Sequence, residues 1–487
     1  MKDKFLYLIK NTGVLFVSNF ASKILVFLLV PFYTSILTTG EYGIYDLIYT
    51  SVQLLNPILT LNIVDSVIRF TIGNNRENKK AAFTTGLKYS LFSILILFFI
   101  FVGLNYFAIF DILYHYKFQF FEIFVAYTMN NLVCQFARGI DDVKGVAISG
   151  VIGTIVMIAL NLFFLLWLRF GLLGYFYAMT ASLFIPSIYL LIRDRMWQYV
   201  DLNKLQLSFS SYEKEMLGYC LPLIFINLSW YINNVSDRYV VTGLCGIEEN
   251  GIYSVSYKIP AILNAVQVVF IQAWQLSAIK EYSAEDGELF YRKTYQITQI
   301  VMVTLCSLLI INTKFLSKCL FANEFYNAWR YVPILLIYIV FNTLSGVIGG
   351  IFSATKDTSK LAWTGIVGSI VNIILNFILV YNIGTMGAAI ATVISSIVIW
   401  GMRFYSSRQH MPLKLKLDRH IIQYIILFVQ AFLMIKVREI NLLLLCQLVS
   451  FVTIAYLNLK EIRSIKNDII NHRIMLRIYY IDKEYYL

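Results

Sequence analysis

Apolar runs of about 20 residues or more, parted by short stretches of Gly, Pro and charge, follow one another along the whole chain, and each could cross a hydrocarbon core of about 30 Å. Reading the breaks predicts fourteen spans: 11–37, 42–70, 82–110, 117–139, 145–168, 172–193, 215–243, 249–279, 290–313, 328–354, 359–382, 385–407, 420–437 and 440–459. The pattern predicts an all-α integral membrane protein of about 14 transmembrane helices and leaves no stretch for a sizeable soluble domain. The first run is too long for the apolar core of a secretory signal and holds Lys23 near its middle, so it counts as a span.

The runs also repeat. Gly43-Ile44-Tyr45 followed by Tyr49 recurs as Gly251-Ile252-Tyr253 followed by Tyr257, an offset of 208 that also pairs Asn19 with Asn227 and Asn56 with Asn264. Gly153 to Asn161 answers Gly368 to Asn376 at an offset of 215, and Gly171, Gly174, Ala178 and Ser182 answer Gly384, Gly387, Ala391 and Ser395 at 213. Six spans therefore repeat as six. Units with an even number of spans share one orientation, which predicts two lobes, 1–200 and 201–410, related by an axis along the membrane normal. Two additional helices in 411–460 and a basic cytoplasmic tail, 461–487, complete the expected organisation.

Composition changes this picture little: 59% of residues are apolar or aromatic, 14% charged, and the mean hydropathy is +0.70. The formal charge of +12 could suggest nucleic acid, but the basic residues sit in short loops rather than in one stripe with interleaved aromatics. With residues toward the span ends counted on the adjoining side, 30 of the 40 Lys and Arg fall on the side of the termini, 7 on the outer side and 3 within spans (Lys23, Arg238, Lys258), which by the positive-inside rule places both termini in the cytoplasm. No phosphate-binding GxxxxGK[ST] loop is present, so a secondary transporter is favoured over direct ATP drive. The six cysteines and four histidines are dispersed, and Asp141-Asp142 reads as a turn or cap, so neither disulfide, metal site nor catalytic cluster is predicted.

Candidate chemistry lies in the polar residues at membrane depth, which normally face a bundle interior or a wet cavity. On the first helix Asn19 and Lys23 share a stripe, on the second Asp46, Thr50, Gln53 and Thr60, and on the seventh Asn227, Tyr231, Asn234 and Arg238 with Asp237 beside them. The eighth offers Tyr253, Tyr257 and Asn264 on one face, with Lys258 turned away from Tyr257 and Asn250 at the helix entry. One reading is a central cavity made cationic by Lys23, Arg238 and Lys258, suited to phosphate, with Asn, Gln, Tyr and Trp for sugar hydroxyls and ring faces. The other is that the charges pair, Asp237 with Arg238 and Asp46 with Lys23, while Asp65 and Arg69 form an i, i+4 pair at the inner membrane edge.

The stretch Asn19 to Lys23, Pro31-Phe32-Tyr33 leading to Gly40-Glu41-Tyr42-Gly43-Ile44-Tyr45, and Asp237-Arg238-Tyr239 leading to Gly251-Ile252-Tyr253-Ser254-Val255 and Lys258 resemble the polysaccharide-unit (Wzx-type) lipid-linked oligosaccharide flippases of the multidrug/oligosaccharidyl-lipid/polysaccharide exporter (MOP) superfamily. The resemblance covers the whole chain. It implies a MATE-like V of two six-helix lobes plus two C-terminal helices in a bacterial cytoplasmic (inner) membrane, and no enzyme activity. The implied activity is alternating-access transfer of a polyprenyl-pyrophosphate-linked oligosaccharide to the outer leaflet for surface polysaccharide such as O-antigen or capsule. Substrate binding would fall on Lys23, Arg238, Lys258, Asn19, Gln53, Asn227, Tyr231, Asn234 and Tyr257, and coupling or gating on Asp46 and Asp237. No cofactor is implied, proton or sodium coupling stays open, and the partners would be the lipid-linked substrate, membrane lipids and the polysaccharide polymerase and chain-length machinery. The alternatives are an ion-coupled multidrug exporter, which should carry an acidic or aromatic cavity, and a membrane polymerase or glycosyltransferase, which generally needs a larger outer loop than Lys314 to Asn327.

Overall fold

The computed structural model describes residues 27–73, 75–104, 111–201, 211–281, 287–355, 357–413, 415 and 417–485. Its helices in chain order are α1 (Val30–Ile36), α2 (Thr39–Leu59), α3 (Ile63–Thr71), α4 (Arg76–Leu104), α5 (Asp111–His115), α6 (Lys117–Gly139), α7 (Val143–Asn161), α8 (Gly171–Arg193) and α9 (Ser211–Cys245). Then come α10 (Ile247–Ser256), α11 (Pro260–Glu281), α12 (Gly287–Ile311), α13 (Thr313–Leu320), α14 (Val332–Ala354), α15 (Thr358–Ile383), α16 (Thr385–Ser407), α17 (Leu417–Lys436) and α18 (Ile440–Tyr485). No strand occurs among the described residues, as expected where lipid cannot satisfy an open sheet edge. Nine of the described helices are long and apolar enough to cross a membrane, or up to eleven if two bent helix pairs count as one span each. The protein is therefore a multi-pass membrane protein, and the fourteenfold count stays an expectation.

The breaks have local causes. Thr38 opens α2 with a reciprocal cap: its hydroxyl accepts from the Glu41 amide at 3.2 Å while the Glu41 carboxylate accepts from the Thr38 amide at 2.8 Å. The far end of that span carries Pro57 and the left-handed pair Leu61 (φ 51°) and Asn62 (φ 54°), and the chain bends by 64° between α2 and α3. Pro260 interrupts the corresponding eighth span between α10 and α11, since it lacks an amide hydrogen for Ser256.

The chain divides into two compact units. Among the described residues, unit 1 holds those within 27–258, 318–328 and 369–388 and unit 2 those within 259–317, 329–368 and 389–485. This division differs in kind from the expected lobes 1–200 and 201–410. In unit 1, α7 and α8 pack closely, and Ile63, Val67, Phe83, Leu132, Phe136 and Met216 belong to one buried core. In unit 2, α14 is the central helix, with 83% of its most apolar stretch buried against 22% for the corresponding stretch of α18. The low value marks α18 as a helix whose apolar surface is left for lipid. The last two helices are fixed to α12 by amides rather than by grease: Gln423 donates to Asn458 at 3.0 Å, Asn458 to Thr304 at 2.8 Å, and Ser307 to Gln430 at 2.8 Å. Between helices in lipid such bonds hold where apolar contact alone gives no preference over lipid tails.

The matched positions of the repeat do matched work. Gly171 (φ +53°) and Gly384 (φ +66°) both take the left-handed conformation just before a helix turns back. Asn161, the last residue of α7, and Asn376, about two turns before the end of α15, are both buried.

Candidate functional site

Gly43 and Gly251, equivalent in the two repeats, meet each other within unit 1. A Cβ on Gly43 would lie 2.1 Å from the Ile247 carbonyl oxygen, and one on Gly251 would lie 1.9 Å from that of Thr39. Helices α2 and α10 therefore touch backbone to backbone, and Asn250 reinforces the crossing by donating from Nδ2 to the Gly43 carbonyl at 3.2 Å.

One turn beyond this crossing the repeat partners exchange charge. Arg238 on α9 donates from Nε to Asp46 Oδ2 on α2 at 2.7 Å, and its Nη1 lies 3.4 Å from Asp237 Oδ1. Ser254 Oγ donates to the same Asp46 oxygen at 2.6 Å. Asp237, with no exposed surface, accepts from the hydroxyls of Tyr253 and Tyr257 at 2.8 Å each and from the Arg238 amide at 2.9 Å. The Tyr257 ring also lies under the guanidinium, 4.9 Å from Cζ to the centroid. Two carboxylates thus surround one guanidinium, an arrangement in which each buried charge has both a counter-charge and hydrogen bonds. The cluster is compact, cross-repeat and, with every member ionised, one negative charge in excess.

Lys258, the next residue after Tyr257, leaves that cluster. Its Nζ lies over the Tyr42 ring at 5.8 Å and it lines a cavity of about 440 Å³ between α1, α2, α6, α7 and α8. The wall at the Lys258 end is aromatic: Tyr33 stacks on Tyr42 with centroids 5.1 Å apart, and Tyr45 meets Tyr175 edge-on at 4.5 Å. Toward the other end, where α6 finishes and α7 begins, the cavity is lined by Asn130, Arg138 and Ser149, and Arg138 is exposed. Among the described residues, Lys258 and Arg138 are the only charged members of the lining, and no carboxylate lines it.

Of the sequence candidates, Asp46, Asp237, Arg238 and Tyr257 come together in the ion-pair cluster and Lys258 faces the cavity. Gln53 lies one helical turn beyond Tyr49, a cavity residue, and Tyr231 lies near Tyr127, whose ring is 6.3 Å from that of Tyr49. Asn227 lies elsewhere, donating to Asn62 and to Asp65, both at 3.1 Å. Asn19 and Lys23 lie outside the described residues, and Asn234 is described only in its backbone. The expected Asp65–Arg69 pair does not form: Asp65 accepts from Gln135 at 3.2 Å and from Asn227, and Arg69 stands over the Tyr219 ring at 4.8 Å. Two amide donors and a ring face satisfy these groups without the i, i+4 contact. Sequence reasoning missed Ser254 and the tyrosine wall. The spacing Tyr42, Tyr45, Tyr49 along one helix face was the available signal.

The family described as "Polysaccharide biosynthesis protein" matches residues 8–275, more than half of the chain. The chain belongs to this polysaccharide biosynthesis protein family. The match takes in both the cross-repeat cluster and the cavity. The sequence matches none of the curated proteins. Among solved structures, the lipid II flippase MurJ in an inward closed conformation aligns with TM-score 0.66 at 13% identity, over 93% of this chain and 99% of that one. An inward-facing multidrug resistance MATE family transporter of the MOP superfamily aligns with TM-score 0.59 at 16% identity, over 81% and 94%. A MOP superfamily transporter from Pyrococcus furiosus, described as having a binding pocket of reverse polarity, aligns with TM-score 0.52 at 17% identity, over 82% and 92%. These likenesses show that this member of the polysaccharide biosynthesis protein family has the MOP-superfamily transporter fold.

Proposed function

We propose that the protein is a flippase that carries a polyprenyl-pyrophosphate-linked oligosaccharide from the cytoplasmic to the outer leaflet of a bacterial inner membrane, for surface polysaccharide synthesis. The observation that carries this reading is the lining of the cavity: tyrosine faces, hydroxyls and an amide, with Lys258 and Arg138 as its charges and no carboxylate among the described residues. A desolvated ammonium favours phosphate oxygens, while ring faces and hydroxyls suit a sugar. A cation exporter would gain from an acidic lining, which favours the flippase over that alternative. With the termini cytoplasmic, Arg138 sits at the inner mouth and draws the headgroup phosphates in, and Lys258 holds them at depth.

The cross-repeat cluster then serves as the outer seal. Gly43 against Gly251 and Asp46 against Arg238 hold the outer ends of α2, α9 and α10 together, and outward opening requires these contacts to part. Asp46 and Asp237 are the coupling or gating acids: their excess of one carboxylate gives a proton or sodium ion a place to compensate when Arg238 moves. Lys23 and Asn19, on the first span, are proposed to complete the headgroup site. The polymerase and chain-length machinery would receive the flipped product.

The test is transfer of a fluorescent polyprenyl-pyrophosphate oligosaccharide across proteoliposomes. Wild type should transfer it, and Lys258→Ala should transfer at least about tenfold more slowly, since one lost charge-assisted contact is about 1.5–3 kcal/mol. Export of organic cations with no transfer of any pyrophosphate-linked sugar would overturn the reading.

A further inference from the structure

Unit 2 holds a second cation whose surroundings differ from those of Arg238. Arg403, in the last fifth of α16, is half-buried, yet among the described residues it pairs with no carboxylate. Its Nε donates to Thr364 Oγ1 on α15 at 3.1 Å and its Nη1 to the Ser345 carbonyl on α14 at 3.2 Å. Gly349 makes room for it: a Cβ there would lie 3.4 Å from Nη1 and 3.2 Å from Leu361 Cδ1. Asp357, the acid between α14 and α15, is already taken, by His410 at 2.9 Å and Lys360 at 3.3 Å. Two neutral oxygens therefore hold the guanidinium in place, and neither cancels its charge. Nη2 makes no hydrogen bond to the described protein, although it is the group best placed to donate twice.

A positive charge at membrane depth is costly unless an anion or water answers it. The geometry points to an anion-binding site centred on Arg403, in which Nη2 takes a phosphate oxygen while Thr364 and Ser345 fix the plane of the guanidinium. Arg403 lies one turn from the end of α16 at Ser407, the depth of a lipid headgroup boundary. The neighbouring surface fits that boundary. Trp363 and Tyr405 are exposed at 61% and 72%, and Arg408 lies over the Phe404 and Tyr405 rings at 5.3 and 5.9 Å. The ligand class is a lipid phosphate, either the headgroup of an anionic phospholipid or the pyrophosphate of a polyprenyl lipid. This site is separate from the Lys258 cavity, whose lining lies wholly in unit 1.

The experiment uses the full chain in phosphatidylcholine nanodiscs, titrated in one arm with phosphatidylglycerol and in the other with farnesyl pyrophosphate, and reads binding by native mass spectrometry. Wild type, Arg403→Met, Arg403→Lys and Lys258→Ala are compared. Arg403→Met should lose at least about tenfold in affinity for one of the two ligands, Arg403→Lys should keep part of it, and Lys258→Ala should keep its affinity for phosphatidylglycerol. Loss confined to phosphatidylglycerol assigns the site to bilayer lipid, and loss confined to farnesyl pyrophosphate assigns it to a polyprenyl lipid. Should Arg403→Met not fold, Thr364→Val, which releases Nε and misplaces the guanidinium, must give a smaller loss in the same arm. Wild-type affinity for both ligands in Arg403→Met, or in Thr364→Val if that is the variant available, would overturn the proposal. Failure of transfer by wild type would count against the flippase reading and leave these binding results standing.

Discussion

Tyr257 and Lys258 are consecutive, yet they serve two regions with opposite electrostatics. Tyr257 donates to Asp237 in a cluster where two carboxylates saturate one guanidinium, whereas Lys258 faces a cavity lined by tyrosines and a second cation, with no acid among the described residues. The turn after α10 divides them. A membrane protein can thus hold cations at depth in two ways: Arg238 is paired with two carboxylates at the crossing of the repeats, while Lys258 has no carboxylate partner among the described residues. The comparison separates residues whose loss should be felt in folding from those whose loss should be felt in transport.

The largest effect on stability should come from breaking the saturated cluster. Arg238→Ala leaves Asp46 and Asp237 facing each other's charge without relief, which costs about 3–5 kcal/mol for a buried pair stripped of one partner. The double variant Asp46→Asn, Arg238→Gln should recover most of that loss, read by thermal denaturation in detergent. No recovery would mean that the pair is not the source of the destabilisation. Next in size is the crossing itself: Gly251→Ala places a methyl 1.9 Å from the Thr39 carbonyl, so the helices must separate, at about 1–3 kcal/mol for overpacking. A cysteine pair placed across α2 and α10 should crosslink readily in wild type and poorly in Gly251→Ala.

A pH effect sharpens the comparison outside the membrane. Asp194, just past the end of α8, is pushed up to about 6 by burial, then by the charge of and hydrogen bond to Asp142, with Arg193 pulling the other way. Because the folded protein holds this proton more tightly than an unfolded chain, the contribution is full below about pH 4 and is lost as pH rises through about 6. Asp194→Asn should therefore flatten the fall in stability between about pH 4 and 7, measured as melting temperature against pH. The smallest stability effect is expected for Lys258→Ala, within about 0.5 kcal/mol of wild type, because this side chain has no ion pair among the described residues.

How much of this the sequence carried depends on the range of the contact. Helices and repeat were legible because both are local or periodic: the apolar runs, the paired glycines, and the matched Asn161 and Asn376 all stand in the letters. Arg238 and Asp46 were legible as polar residues on helix faces, but they lie 192 residues apart, and helix periodicity says which face a residue occupies without saying which helix that face meets. The cationic cavity expected from Lys23, Arg238 and Lys258 depended on those unseen pairings. Arg238 is spent on carboxylates, Lys258 faces the cavity, and Lys23 lies outside the described residues. Asp65 and Arg69 show the same limit, since a permissible i, i+4 pair gave way to Gln135, Asn227 and Tyr219 from other helices.

The central claim is that Lys258, and not Arg238, meets the phosphates of the transported lipid. It is tested most directly by the rate of fluorescent polyprenyl-pyrophosphate oligosaccharide transfer in proteoliposomes by Lys258→Ala beside the stabilised double variant Asp46→Asn, Arg238→Gln. Lys258→Ala is expected to melt like wild type, transfer at least about tenfold more slowly and lose affinity for the pyrophosphate headgroup, whereas the double variant keeps headgroup affinity whatever its turnover. Wild-type affinity and transfer in Lys258→Ala, with headgroup affinity lost in the double variant, would contradict it.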